Sequence, residues 1–359
     1  MKEQKVYLTL QNGRVFEGKR FGAKKDITGE LVFNTSAVGY IDTLTEPAYF
    51  GQIVIQTFPL VGNYGVILKG RENVQPKLSA LVVREYCEAP SNFRCEETLN
   101  DYMVRNNIVG VYGIDTRELT KTVREAGVMN AVISSRPVQD LSEVQKFSIK
   151  NAVMECTVKE VKVYGNENAK RNIVLWDFGA REYTVPALVE RDNKVIRVPA
   201  NYTAEQIMEY NPDAIVLSDG GGNPAENIEI IKNIKKIAGK VPVFATGLGH
   251  QMFALAMGGQ TAKMKYGHRG SNQPVKDLKN GNVYISGQNH GYVVVPESMH
   301  GVAEVSFINV NDGTCEGLNY PELKAFTVQF NPEACACPSQ ENDLYDKFMT
   351  VIDGGKTNA

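Results

Sequence analysis

Polar and apolar positions alternate from the start of the chain. In Lys5–Leu10 every second side chain is apolar, the period of a half-buried strand, and Asn12-Gly13 behind it is a hairpin-turn dipeptide. Further strand-like runs follow at Leu31–Asn34, Gln52–Thr57 and Leu81–Arg84. Two helical patterns interrupt them. One starts near Thr98, and the other has Asp115 as its N-cap and stops at Gly127. Residues 1–150 therefore read as an α+β domain. Residues 151–171 are polar and charged and read as a linker. From 172 to 359 the rhythm changes. Apolar strands at Ile173–Trp176, Val195–Val198, Ala214–Leu217 and Val241–Phe244 alternate with helical segments at Thr184–Glu190, Ala204–Tyr210 and Ala225–Ile237. That alternation predicts a mostly parallel sheet with helices on both faces. Strand-like runs resume at Val283, and the last helix is expected over Asp343–Ile352. In such sheets a site lies at the carboxyl ends of the strands. Asp177–Gly179, Ser218–Pro224 and Ala245–Gly249 are therefore expected to converge on one pocket.

Composition narrows the function classes. At 359 residues, 43% hydrophobic and 22% charged, the chain suits two globular domains. A formal net charge of −2 and the lack of basic runs interleaved with aromatics argue against nucleic acid as a partner. No apolar run has transmembrane length, so no membrane partner is expected. The cysteines at 87, 95, 156, 315, 335 and 337 show no Cys-x-x-Cys spacing and read as free thiols of a reducing cytoplasm. Cys335 and Cys337 are one Cys-x-Cys pair with no nearby histidine, a weak metal signal, so no metal is expected.

The most informative stretch is Val241–Gln251. A strand runs into the small-residue turn Ala245–Gly249 and out into an apolar helix that ends at Gly258-Gly259. This is the layout of a nucleophile elbow, which exposes one side chain on a strained backbone beside helix N–H groups. Its apex is Gly247, which has no side chain to expose.

Together with that elbow, a set of motifs resembles the small, glutamine-hydrolysing subunit of carbamoyl phosphate synthetase along essentially the whole chain. In the first half they are Phe33-Asn34-Thr35-Ser36, Gly39-Tyr40, Gly62-Asn63-Tyr64-Gly65, Leu81-Val82-Val83-Arg84-Glu85, Gly113-Ile114-Asp115-Thr116-Arg117 and Met129-Asn130. In the second half they are Leu248-Gly249-His250-Gln251, Gly267-His268-Arg269-Gly270, Pro274-Val275-Lys276-Asp277, Gln288-Asn289-His290-Gly291-Tyr292, Asn311-Asp312-Gly313, Glu316-Gly317 and Pro332-Glu333-Ala334. The resemblance implies an N-terminal small-subunit domain followed by a class I glutamine amidotransferase-like domain. It also implies a chemistry. An elbow cysteine attacks the glutamine side-chain amide, a histidine takes the thiol proton, a glutamate orients that histidine, and backbone N–H groups hold the oxyanion. Ammonia then passes to a large synthetase subunit. ATP and Mg are expected only on that partner, with no cofactor in this chain. The product would serve pyrimidine or arginine biosynthesis, and the residues leave that choice open.

The chain departs from this pattern where the chemistry sits. The nucleophile position is Gly247 and the base position is Asn331; Glu333 alone of the triad is kept. The oxyanion loop reads Gly220-Gly221-Gly222, without the proline that the family carries between the glycines. Ala48 replaces a substrate-binding serine, while Leu248, Gln251, Asn289, Gly291 and Tyr292 match the substrate-facing positions. An asparagine amide cannot serve as a general base. His250 reads as a helix-capping or packing residue. His268 and His290 lie in motifs that the family keeps while using another histidine. Thr246 has no evident base, and Asp219 and Asn223 read as turn residues. The expected function is a glutaminase-inactive small subunit docked on a large one, with at most weak glutamine binding. Two alternatives stand beside it: an active amidotransferase or hydrolase with relocated residues, and a stand-alone amino-acid-binding module.

Overall fold

The computed structural model describes residues 4–68, 75–333 and 338–354, with only the backbone for 338–343. The chain divides into two compact units, Met1–Lys150 and Asn151–Ala359.

In the first unit the chain runs β1 (Lys5–Leu10), β2 (Val15–Gly22), β3 (Ile27–Asn34), α1 (Tyr40–Thr45), β4 (Gln52–Gln56), β5 (Leu60–Val61), β6 (Ala80–Val82) and β7 (Glu85–Tyr86). It continues with α2 (Leu99–Arg105), β8 (Val109–Tyr112), α3 (Thr116–Ala126), β9 (Met129–Ser134) and α4 (Ser142–Lys146). The β1–β2 hairpin turns where Asn12-Gly13 predicts it: Gly13 has φ +88°, open to glycine at little cost. Thr98 caps α2 by accepting from the Asp101 N–H at 3.1 Å. Asp115 caps α3 in the same way from Glu118, and Gly127 (φ +93°) ends it. The strands close into a barrel in the order β1-β2-β8-β6-β4-β3-β9. Leu31, Val54, Leu81 and Val109 on these strands are fully buried.

The second unit opens with α5 (Ala152–Cys156) and β10 (Lys162–Tyr164), both inside the stretch expected to be a linker. That expectation is corrected by tertiary contacts the composition does not reveal. Val153 and Cys156 are buried, and β10 pairs with a later strand. The Thr157 hydroxyl donates to the Asp177 carbonyl at 2.6 Å, and the Val158 N–H donates to the Asp177 carboxylate at 2.6 Å. Then come β11 (Arg171–Phe178), α6 (Thr184–Val189), β12 (Asn193–Pro199), α7 (Ala204–Met208), β13 (Ala214–Gly220), α8 (Ile228–Ile237), β14 (Val243–Thr246) and α9 (Leu248–Ala256). The chain ends with β15 (Thr261–Asp277), β16 (Val283–Val294), β17 (Glu304–Asn309), β18 (Cys315–Tyr320), β19 (Ala325–Val328) and α10 (Pro338–Ile352).

These strands form one sheet in the order β10-β12-β11-β13-β14-β19-β18-β17-β15-β16. Its centre, β12-β11-β13-β14-β19, is parallel, and the flanking pairs are antiparallel. Side chains along β11 alternate between two cores. Val174, Trp176 and Phe178 pack with α7, α8 and α9 on one face, and Ile173 and Leu175 pack with α6 and α10 on the other. The carboxyl ends of β11, β13, β14 and β19 lie side by side, which puts the loops after them at one edge.

Candidate functional site

Gly247 joins β14 to α9 with φ +50° and ψ −114°, backbone angles that L-residues rarely adopt. Its N–H donates to Val328 O at 2.9 Å, which ties the turn to β19. The strand–turn–helix expected from the sequence is therefore an elbow in its backbone angles as well. The space that a side chain on Gly247 would take is filled from another strand. Asp219, near the end of β13, sends its carboxylate across the apex. Oδ1 accepts from the Gly220 N–H at 2.7 Å and from the Leu248 N–H at 2.9 Å. A Cβ built on Gly247 would fall inside contact distance of Asp219 Oδ1 and Cγ, and 2.9 Å from Oδ2.

Asn331 follows β19 and is 2% exposed. Its amide is oriented by its neighbours: Nδ2 donates to Asp219 Oδ2 at 3.0 Å, and the oxygen accepts from Arg181 Nη1 at 2.6 Å. Burial pushes the Asp219 pKa up to about 6. The Leu248 and Gly220 N–H groups and the Arg181 charge work against that rise, and Glu333 adds to it. Glu333 accepts from the Thr184 hydroxyl at 2.8 Å and from the Tyr345 hydroxyl. The residue matched to the orienting glutamate is thus held by α6 and α10.

The other singled-out residues fall as follows. A Cβ at Gly220 would strike the Phe178 carbonyl, and Gly222 (φ +92°) lies against Ala152, so both loop glycines are sterically required. Gln251 donates to Tyr292 O and to Gln329 Oε1, each at 2.8 Å. Asn289 is buried, and its Nδ2 has no hydrogen-bond partner. Gly291 and Tyr292 lie on β16, half-buried. Leu248 opens α9. Ala48 is buried in a 3-10 turn, Pro47–Tyr49, of the first unit. Thr246 is 4% exposed. Asn223 is a turn residue, capping Pro224–Glu226. Asp219 is not merely one: its carboxylate reaches a second element. Cys335 and Cys337 lie outside the described residues.

Three of the four histidines are buried and hydrogen-bonded within the second unit. His250 is fully buried with Nδ1 2.7 Å from the Thr327 hydroxyl, and burial lowers its pKa to about 3. His268 bridges Asp312 (2.9 Å) and Glu316 (3.3 Å). Burial opposes its charge, but the two carboxylates outweigh burial and raise its pKa. His290 sits between Gln288 Oε1 and Tyr292 O, and burial holds its pKa well below the usual histidine range. His268, His290 and Glu316 bring ligand-capable atoms within 4.8 Å of one another. Each histidine ring nitrogen in that cluster already faces a protein partner, so a buried hydrogen-bond network accounts for it.

Sequence reasoning therefore missed Asp219 and Arg181. Each lies beyond the end of its strand's apolar run, one beside the oxyanion glycines and one after Gly179-Ala180. That placement is the only signal the sequence carries for either.

Residues 8–133 match the model of the carbamoyl-phosphate synthase small chain CPSase domain, and residues 174–351 match that of class I glutamine amidotransferases. The carbamoyl phosphate synthase small chain of Clostridium perfringens is 44% identical over 350 residues, 96% of this chain and 99% of that one. That of Bacillus caldolyticus is 44% identical over 353 residues, 97% of this chain and 96% of that one. The pyrimidine-specific small chain of Bacillus subtilis is 44% identical over 349 residues, 96% of this chain and 95% of that one. With both domains matched and the relatives aligned nearly end to end, the chain belongs to the carbamoyl phosphate synthase small-chain family.

Proposed function

We propose that this chain is a small subunit that no longer hydrolyses glutamine and that supports a large synthetase subunit fed by free ammonia. The observation that carries this reading is the elbow apex. Gly247 keeps the strained backbone of a nucleophile site and presents no side chain, and the base position, Asn331, is engaged by Asp219 and Arg181. Thiol attack needs a thiolate and a proton acceptor, and neither stands here. Losing either alone removes several orders of magnitude in rate, and losses within one catalytic unit do not add. Relocated chemistry is disfavoured because Thr246 is buried, burial lowers the His250 pKa to about 3, and both ring nitrogens of His268 and of His290 face protein partners. ATP and Mg belong to the partner's chemistry, and nothing in this chain's role requires a cofactor.

The unpartnered Asn289 Nδ2 supports weak residual binding of glutamine or another amino acid. The purified protein, alone and with its large subunit, should release no more glutamate from glutamine than a blank does. Sustained turnover would overturn the reading. Tight glutamine binding in calorimetry without a large-subunit complex would favour the stand-alone module.

A further inference from the structure

Three elements converge on one carboxylate. An ordinary aspartate turn would need only the next N–H, here Gly220. Asp219 Oδ1 takes that N–H and also the Leu248 N–H at the start of α9, and Oδ2 takes the Asn331 amide after β19. The first two donors belong to the oxyanion loop and the elbow, the groups such a scaffold aims at the oxygen of a tetrahedral intermediate. The carboxylate also covers the space of any side chain at 247.

We propose that Asp219 is a built-in occupant of the oxyanion site, an autoinhibitory contact that excludes both a nucleophile at position 247 and an incoming amide oxygen. This rests on the elbow reading given above and adds a third obstacle to those at Gly247 and Asn331. Gly247 and Asp219 are then mutually dependent. Glycine at 247 leaves room for the carboxylate, and the carboxylate satisfies N–H groups that would otherwise be buried without an acceptor. Neither position can be changed alone without leaving a collision or unsatisfied N–H groups. Rebuilding cysteine and histidine with Gly247→Cys and Asn331→His leaves the site barred.

The test compares the parent, Asp219→Ala, Gly247→Cys and the double variant by thermal melting of the full chain. In the parent background Asp219→Ala should lower Tm, because two N–H groups and the Asn331 amide lose their acceptor. In the Gly247→Cys background the same change should raise Tm, because it removes the collision. If Gly247→Cys does not fold at all, recovery of a folded double variant is the same result. A second arm uses formate, a carboxylate of the vacated size. It should raise the Tm of Asp219→Ala saturably and more than it raises the parent's, whereas chloride at equal ionic strength should not. In a third arm, Gly247→Cys/Asn331→His with Asp219→Ala should be alkylated by a glutamine-analogue electrophile about tenfold faster at the introduced thiol than without it.

Equal and additive Tm changes in the two backgrounds, no specific response to formate, or equal alkylation rates would each overturn the proposal. Its failure is separable from failure of the functional reading. Glutamate release by the parent would refute the inactive small subunit, and additive Tm changes would leave the loss at Gly247 and Asn331 untouched.

Discussion

Asp219 holds a carboxylate in a place nearly closed to water, and its proton balance sets a test at the scale of one residue. Its folded pKa of about 6 lies above the usual 3.8. The folded state therefore binds this proton more tightly than the unfolded chain does. The resulting stabilisation is full below pH 3.8 and is lost as pH rises through 6. Asp219→Asn keeps an oxygen for the Gly220 and Leu248 N–H groups but cannot ionise. The stability of Asp219→Asn relative to the parent should rise by about 2 kcal/mol between about pH 4 and pH 7, measured by urea unfolding. A constant difference would mean that the carboxyl is not shifted. At this scale the sequence is legible where a residue type rules out a chemistry. Gly247 has no side chain and Asn331 no titratable proton, whatever surrounds them. Asp219 is different, because an aspartate before three glycines fits a turn equally well, and only the direction of its carboxylate decides.

At the scale of elements, the parallel centre of the sheet sets the site by aligning four strand ends. The elbow between β14 and α9 is seated by close packing, with Gly249 against β13. A Cβ at Gly249 would come 2.6 Å from the Leu217 carbonyl oxygen and 2.8 Å from its carbon. Backbone at the centre of a sheet cannot move aside. Gly249→Ala should therefore lower stability by roughly 1–3 kcal/mol in chemical denaturation, and an unchanged midpoint would show that α9 shifts freely. Most elements were readable from periodicity and caps, as with β1, the Thr98 and Asp115 N-caps and the alternation of β11 through β14. The stretch 151–171 was not, because its few apolar positions are short and interrupted. Its order comes from Asp177 and from pairing with β12, partners that lie farther along the chain.

For the whole molecule, a barrel unit and a sheet unit each carry their own buried core. Among the described residues no helix is long and apolar enough to cross a membrane. The family likeness extends through the first unit, which contains neither Gly247 nor Asn331. A pattern kept without its chemistry points to a kept surface. Coexpressed at micromolar concentration with a carbamoyl phosphate synthetase large subunit, this chain should co-elute with it and raise its ammonia-dependent activity or stability. Separate elution would refute the partnership.

The amino-acid order alone determined the family, the alternation of strands and helices in the second half, and the presence of glycine at 247 and asparagine at 331. All three rest on local periodicity or on the identity of a residue in a recognisable motif. Tertiary structure decided the folding-in of 151–171, the capture of Glu333 by Thr184 and Tyr345, and above all which group stands against Gly247. Asp219 and Gly247 are 28 positions apart in the chain, and Asn331 lies 84 beyond Gly247. They meet because parallel strands bring distant loops to one edge of the sheet, a juxtaposition that strand pairing creates and that no local pattern encodes.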